Sequence, residues 1–286
     1  MTTAPSSRTS GTSAALVGAL REFSADPGAP RIVALDFDGT LAPFVDDPTS
    51  AAMAPAARAA VDRLAAASRG TTTHLGLVSG RNLSDLAGRA GLPPGTFLVG
   101  SHGAETAHVT PQGLDAEPLE LTADQERALG ELRAGLADAV DGRDGTWVQH
   151  KPSAAVLHTR QASASDARAA EAAADEVAER LGLHAMHGKD VVEIAVLRTS
   201  KGEAIAHLRD VVGRDAASSG RTVRVLYAGD DTTDETAFAV LHDGDVGIKV
   251  GDGPTSAGYR VADADGLAAA LDLISADLEE IEEIET

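Results

Sequence analysis

The stretch Arg31-Ile-Val-Ala-Leu-Asp36-Phe-Asp38-Gly39-Thr40-Leu41 constrains this chain more than any other. An apolar run rich in Ile, Val and Leu reads as a buried strand, and it ends in two aspartates one residue apart. Gly39 and Thr40 then break the strand into a turn. Alternate side chains of an extended chain share a side, which puts Asp36 and Asp38 together and Phe37 opposite. Two carboxylates crowded at a strand end repel each other and lose hydration, a cost that a bound cation offsets. The plainer reading is a strand that finishes in polar turn residues, and the rest of the chain decides between the two.

The same pattern recurs along the chain. Leu75-Gly-Leu-Val-Ser79 is a second apolar strand, Phe97–Gly100 a third, and Val223–Ala228 a fourth that runs into Gly229-Asp230-Asp231. Short strands at Val246–Val250 and Tyr259–Ala262 follow. Between them lie segments with helical spacing at Gly11–Ser24, Met53–Ser68, Leu83–Ala90, Thr199–Val212, Asp234–Leu241 and Leu267–Leu273. The acidic end from Asp277 reads as a solvated helix. Strands alternating with helices predict an α/β fold, a Rossmann-like parallel sheet with crossover helices. From about Ala104 the texture changes. A helix over Thr122–Val140, paired strands at Thr146–His150 and Ala154–Thr159, a helix over Ser163–Leu181 and strands at His184–Met186 and Asp190–Val196 predict a separate α+β unit. The expected organisation is a flexible tail over 1–13, a core over 14–104 and 198–286, and an inserted cap domain over 105–197.

Four polar ends now fall where a strand stops or a helix starts: Asp36/Asp38, Ser79, Lys201 and Asp230/Asp231. In an open parallel sheet such positions gather at the carboxyl edge, where ligands bind. Carboxylates from two strands suit Mg²⁺, which takes hard oxygen ligands and bridges to phosphate. Asp36 can attack phosphorus, and Asp38 can donate and then accept the protons of that reaction. Ser79 can donate to a phosphoryl oxygen or cap the helix after it. Lys201 opens a helix in Ser200-Lys-Gly-Glu203, which matches a capping box, so its ammonium stands at an anion-binding helix start. Asp230-Asp231-Thr-Thr-Asp234-Glu235 also contains a capping box, but its aspartates exceed what a cap needs.

Composition narrows the partners. With 24 basic and 44 acidic residues among 286, the chain carries a net charge of −20, which repels nucleic acid and anionic lipid. A phosphorylated ligand therefore needs local cations, and lysine is confined to Lys151, Lys189, Lys201 and Lys249. Cysteine is absent, which excludes thiol chemistry and disulfides. No apolar run approaches the ~20 residues of a membrane span, and the polar start lacks the core of a signal peptide. The reading is a cytoplasmic protein, with a monomer favoured, no nucleic-acid partner and no membrane partner.

The set Asp36-Phe-Asp38-Gly-Thr-Leu, Ser79-Gly-Arg81, Lys201-Gly and Gly229-Asp-Asp-x-Thr-Asp234-Glu resembles the four ordered motifs of the haloacid dehalogenase-like phosphatases. Within them, Val99-Gly-Ser-His102-Gly-Ala-Glu105, Gln149-His-Lys151 with His158, and Glu193 ahead of Lys201 resemble the trehalose-6-phosphate phosphatases. The resemblance implies an Mg²⁺-dependent sugar-phosphate phosphatase acting through an aspartyl phosphate. Asp36, Asp38, Ser79 and Lys201 are its implied catalytic residues. The metal would be held by Asp36, Asp38 (partly through its backbone carbonyl) and Asp230, with Asp231 and Asp234 behind them. Implied substrate-binding residues are Arg81, His102, Glu105, Lys151, His158 and Glu193, with a cap that closes over the reaction. One departure stands out: Glu193-Ile-Ala195-Val196 occupies a place where relatives often carry Arg-Pro, and Arg160 and Arg198 are the nearby cations. The alternatives are another sugar phosphate (sucrose phosphate or a glycosyl phosphoglycerate), a phosphomutase, and a catalytically silent sugar-phosphate-binding module.

Overall fold

A computed structural model describes residues 12–45, 47–215 and 220–285 of the chain. The tail expected over 1–13 lies outside the described residues except for Thr12 and Ser13. Ser13 caps the first helix, α1 (Ala14–Ser24), its Oγ accepting from the Leu16 amide at 3.2 Å. The chain then runs through β1 (Arg31–Leu35), α2 (Pro55–Ala67), β2 (Thr73–Val78), α3 (Leu83–Ala90), β3 (Phe97–Gly100), β4 (Glu105–Thr110) and β5 (Gly113–Ala116). Pro55 sits at the start of α2, where its missing N–H removes no helical hydrogen bond.

A second compact unit, Pro118–Arg198, interrupts this core. It consists of α4 (Ala123–Val140), β6 (Trp147–His150), β7 (Ala154–His158), α5 (Ala164–Leu181), β8 (Ala185–Gly188) and β9 (Val191–Ala195). Its antiparallel sheet has the order β6-β7-β9-β8. Thr122 and Gln125 close a capping box on α4, and a left-handed Gly182 ends α5. One sheet face packs on the helices through Ala155, Leu157, Val192 and Ile194 against Leu132, Leu136, Ala174 and Val177.

The core resumes with α6 (Lys201–Asp215), β10 (Arg224–Gly229), α7 (Glu235–Phe238), β11 (Val246–Val250), β12 (Tyr259–Val261) and α8 (Ala264–Glu285). Its sheet has the order β12-β11-β10-β1-β2-β3-β4-β5, parallel from β12 through β3 and antiparallel from β3 to β5. β1 is buried along its whole length because both faces are covered. Val33, Leu35 and Phe37 pack with Leu16, Leu64 and Leu271 on one face, while Ile32 and Ala34 pack with Ile205, Leu208 and Phe238 on the other. That alternation sends Asp36 toward the face covered by α6.

Three expectations change. Residues 105–117 belong to the core rather than to the inserted unit, because β4 and β5 extend its sheet, with Thr106 paired to Val99 and Asp115 to His108. The acidic end is continuous with the last expected helix, so that α8 is a single element to Glu285. The helix expected at Asp234–Leu241 is a 3₁₀ turn, Thr232–Asp234, followed by the short α7. Among the described residues no helix is long and apolar enough to cross a membrane.

Candidate active site

β1 and β10 are neighbours in the sheet but distant in sequence, so strand order reverses between them. A crevice forms at such a point beyond the carboxyl ends of the strands. Asp36 follows β1 there, its amide still donating to the Ala228 carbonyl at 2.9 Å, and Asp230 follows β10. The turn after β1 is tight: the Leu41 and Ala42 amides both donate to the Phe37 carbonyl, at 3.0 and 2.8 Å. Gly39 has φ +80°, and a Cβ at that position would run into the Asp230 carboxylate. Glycine is therefore what lets the two strand ends approach.

Asp36 is buried, and its Oδ1 lies 2.8 Å from the Lys201 ammonium. Lys201 starts α6 and is itself buried, and it also donates to Asp234 Oδ1 at 2.6 Å. The same Asp234 oxygen accepts from the Tyr227 hydroxyl at 2.6 Å, and its Oδ2 accepts from the Asp231 amide at 2.8 Å. Thr40 Oγ1 stands between the two strand-end carboxylates, 3.1 Å from Asp230 Oδ1 and 3.4 Å from Asp36 Oδ2. The Lys249 ammonium donates to the Asp230 carbonyl and so holds the backbone at the end of β10.

The charges are not balanced. One carboxylate oxygen from each of Asp36, Asp230 and Asp234 lies within 4.8 Å of the other two. Burial raises the pKa of Asp36; Lys201 opposes that rise, and Asp234 and Asp230 add to it. Burial likewise raises Asp230, with Asp234 adding to the effect. In Lys201 the neighbouring Asp36 and Asp234 overcome the lowering by burial, and the ammonium is held above its ordinary range. Asp234 is held by Lys201, Tyr227 and the Asp231 amide, whereas Asp36 and Asp230 stand at the two strand ends that border the crevice. A hard divalent ion fits this oxygen-only, anion-rich donor set.

Asp38 is not one of these three carboxylates. Its two oxygens accept from Arg81 Nε and Nη2, each at 2.7 Å, and its side chain is a third exposed. The chain turns at Phe37, whose carbonyl accepts from the Leu41 and Ala42 amides. Arg81, expected at the substrate, is committed to Asp38 and to Asp85, which Nη1 reaches at 2.6 Å, with its guanidinium carbon 5.6 Å from the centre of the Phe37 ring. Ser79 is buried, and its Oγ accepts from the Arg81 amide at 3.2 Å within the turn; it does not cap α3, whose cap is Asn82, with its side chain accepting from the Asp85 amide at 2.9 Å. Glu105 Oε2 accepts from the Ser101 hydroxyl at 2.6 Å and the Leu83 amide at 3.3 Å. His102 takes a left-handed conformation, φ 55°, and its ring lies where a Cβ on Gly80 would be.

In the inserted unit, Lys151 Nζ donates to both oxygens of Glu193, at 2.8 and 2.9 Å. His158 Nε2 lies 3.0 Å from Gln149 Oε1 and donates to it, since an amide oxygen only accepts. Burial lowers the His158 pKa, with Lys151 and Arg160 acting the same way and Glu193 against them. Sequence reasoning gave no role to Thr40, Tyr227 or Lys249. Lys249 had a signal, a lone charge inside the buried run Val246-Gly-Ile-Lys-Val250. Tyr227 had none, because an aromatic residue in an apolar strand reads as core.

The family profile described as trehalose-phosphatase matches residues 34–265. An uncharacterised glycosyl hydrolase of Mycobacterium tuberculosis is 33% identical over 255 residues, which is 87% of this chain and 18% of that protein. A trehalose-phosphate phosphatase of Mycobacterium ulcerans is 33% identical over 219 residues, 76% of this chain and 53% of that one. The chain thus spans about half or less of the length of these curated relatives. In fold it is similar to the C-terminal domain of a Candida albicans trehalose-6-phosphate phosphatase, with a TM-score of 0.69 at 19% identity over 95% of this chain and 99% of that one.

Proposed function

The chain belongs to the trehalose-phosphatase family, and from that premise we propose that it hydrolyses trehalose 6-phosphate to trehalose and inorganic phosphate. The observation that carries the proposal is the buried Lys201 ammonium held between Asp36 and Asp234, at 2.8 and 2.6 Å. Burial of Asp36 favours the protonated carboxyl, which is a poor nucleophile. Lys201 opposes that protonation, and Asp234, fixed by Tyr227 and the Asp231 amide, keeps Lys201 in place.

In the proposed reaction an Asp36 oxygen attacks phosphorus as the bond to the sugar oxygen breaks, and the departing oxygen takes a proton from Asp38. Asp38 then removes a proton from water, which attacks the aspartyl phosphate and restores the Asp36 carboxylate as inorganic phosphate leaves. Lys201 and the Ser79 hydroxyl oppose charge gathering on the phosphoryl oxygens. Arg81 holds Asp38 between the two steps. Asp36 and Asp230, with the Asp38 carbonyl, would hold Mg²⁺, which when bound neutralises phosphoryl charge. Asp231 and Asp234 support the metal-holding loop. For the sugar hydroxyls we assign Lys151, His158 and Glu193, with His102 and Glu105 shaping the turn after β3.

The Ala195-Val196 pair after Glu193 favours keeping a second reading, in which the same chemistry serves another sugar phosphate. The deciding experiment is phosphate release from trehalose 6-phosphate, sucrose 6-phosphate and a glycosyl phosphoglycerate, with and without Mg²⁺. The proposal expects Mg²⁺-dependent release with trehalose 6-phosphate preferred. Preference for another member moves the substrate, and release from none of them returns the silent-module reading.

A further inference from the structure

Trp147 is the single tryptophan of the chain, and it is 40% exposed. It begins β6 on the sheet face opposite the helices. Val148, Ala155, Leu157, Val192 and Ile194 turn toward α4 and α5, so alternation leaves Trp147, Gln149, His158 and Glu193 on the other side. Trp147 and His158 are direct cross-strand partners, and their rings stack with centroids 4.7 Å apart and planes 2° from parallel. The bond from His158 Nε2 to Gln149 Oε1 fixes the imidazole plane, and with it the plane of the indole stacked on it. On the same face, further along, Lys151 is tied to Glu193. The result is a large, flat, exposed aromatic surface, oriented by neighbours and bordered by polar groups.

We propose that the Trp147–His158 pair is a stacking platform for a sugar ring, with Gln149 meeting hydroxyls at its edge. This rests on the sugar-phosphate reading above and adds a residue to it. A pyranose offers a face of C–H bonds and a rim of hydroxyls. It therefore suits an indole flanked by amide, ammonium and carboxylate groups. A nucleobase also stacks on indole, but a net charge of −20 opposes a nucleic acid. The proposal makes Trp147 a specificity residue for the sugar and gives it no part in phosphorus chemistry.

Because Trp147 is the sole tryptophan, its fluorescence reads the platform directly. The Asp36→Asn protein is titrated with trehalose 6-phosphate, and the unmodified protein with trehalose, sucrose and inorganic phosphate. The expected result is a saturable change in emission with at least one sugar ligand and none with inorganic phosphate. In steady state, Trp147→Ala raises KM for the preferred sugar phosphate by about tenfold more than for p-nitrophenyl phosphate, and Trp147→Phe recovers part of the loss. Emission that responds to no sugar, or Trp147→Ala losses equal on both substrates, overturns the platform even if trehalose 6-phosphate is hydrolysed. A sugar response in a protein that does not cleave trehalose 6-phosphate leaves the platform standing and removes only the assigned substrate.

Discussion

Arg81 grips Asp38 through two N–H···O bonds of 2.7 Å, one from Nε and one from Nη2. The guanidinium is fixed in turn by Asp85, which also receives Arg89 Nε at 2.8 Å, and Arg89 donates to the Thr49 carbonyl at 2.8 Å. The proposed acid/base is thus oriented by a chain of charges reaching the loop after β1. Arg81→Gln is expected to lower kcat by about 10²-fold, the low end of what positioned acid–base groups contribute, with a smaller change in KM. Arg81→Lys recovers only part, because a lysine cannot bridge both oxygens. Steady-state kinetics on both variants checks this, and a change confined to KM would instead return Arg81 to the substrate.

Lys151 is nearly buried against Glu193. Its removal leaves a half-buried carboxylate without its cation, so Lys151→Ala is expected to cost about 3 kcal/mol of stability, read by denaturant unfolding. Turnover of the sugar phosphate should fall far more than turnover of p-nitrophenyl phosphate. Equal losses on the two substrates would argue that the residue does not touch sugar.

His158 gives a pH dependence with a definite sign. Burial and then Lys151 lower its pKa in the folded chain. Below its ordinary pKa of about 6.5 the unfolded chain therefore binds more protons than the folded one, and stability falls as pH drops through that value. In an NMR titration the His158 ring should protonate below the range of an exposed imidazole. Lys151→Met should move that titration upward, since it removes a neighbouring positive charge; a downward move would contradict the assignment.

Tyr227 lies wholly inside the core, and burial together with Asp234 pushes its phenol well above the ordinary range. It stays protonated and donates to Asp234 Oδ1. Tyr227→Phe removes one of the bonds that fix the partner of Lys201, at an expected cost of about 1.5–3 kcal/mol for a hydrogen bond to a charged group. Urea unfolding measures this, and a change near zero would mean that Lys201 and the Asp231 amide suffice to hold Asp234.

The parallel core was legible because β1, β2 and β10 are apolar runs that end in chemistry-bearing residues, and because both faces of such strands are buried. β4 and β5 were not. Glu105-Thr-Ala-His-Val-Thr is half polar and Gly113–Ala116 is exposed throughout, so neither carries an apolar period. At the site, Asp36, Lys201 and Asp230 converge as their positions at strand and helix ends predicted. The hold of Arg81 on Asp38 was hidden, because it joins residues 43 apart in the chain that strand alternation does not relate. The roles of Tyr227 and Thr40 depend on contacts across the fold, which spacing along the chain does not encode.

The central claim is that Asp36 carries the phosphoryl group of a sugar phosphate. The direct measurement is mass spectrometry of the peptide containing Asp36 after the protein, mixed with trehalose 6-phosphate and Mg²⁺, is quenched in acid within the first turnovers. A phosphoryl adduct on Asp36, absent from Asp36→Asn and lost on neutral incubation, is the predicted result. Release of phosphate at a normal rate by Asp36→Asn, or turnover with the adduct on another residue, would contradict it.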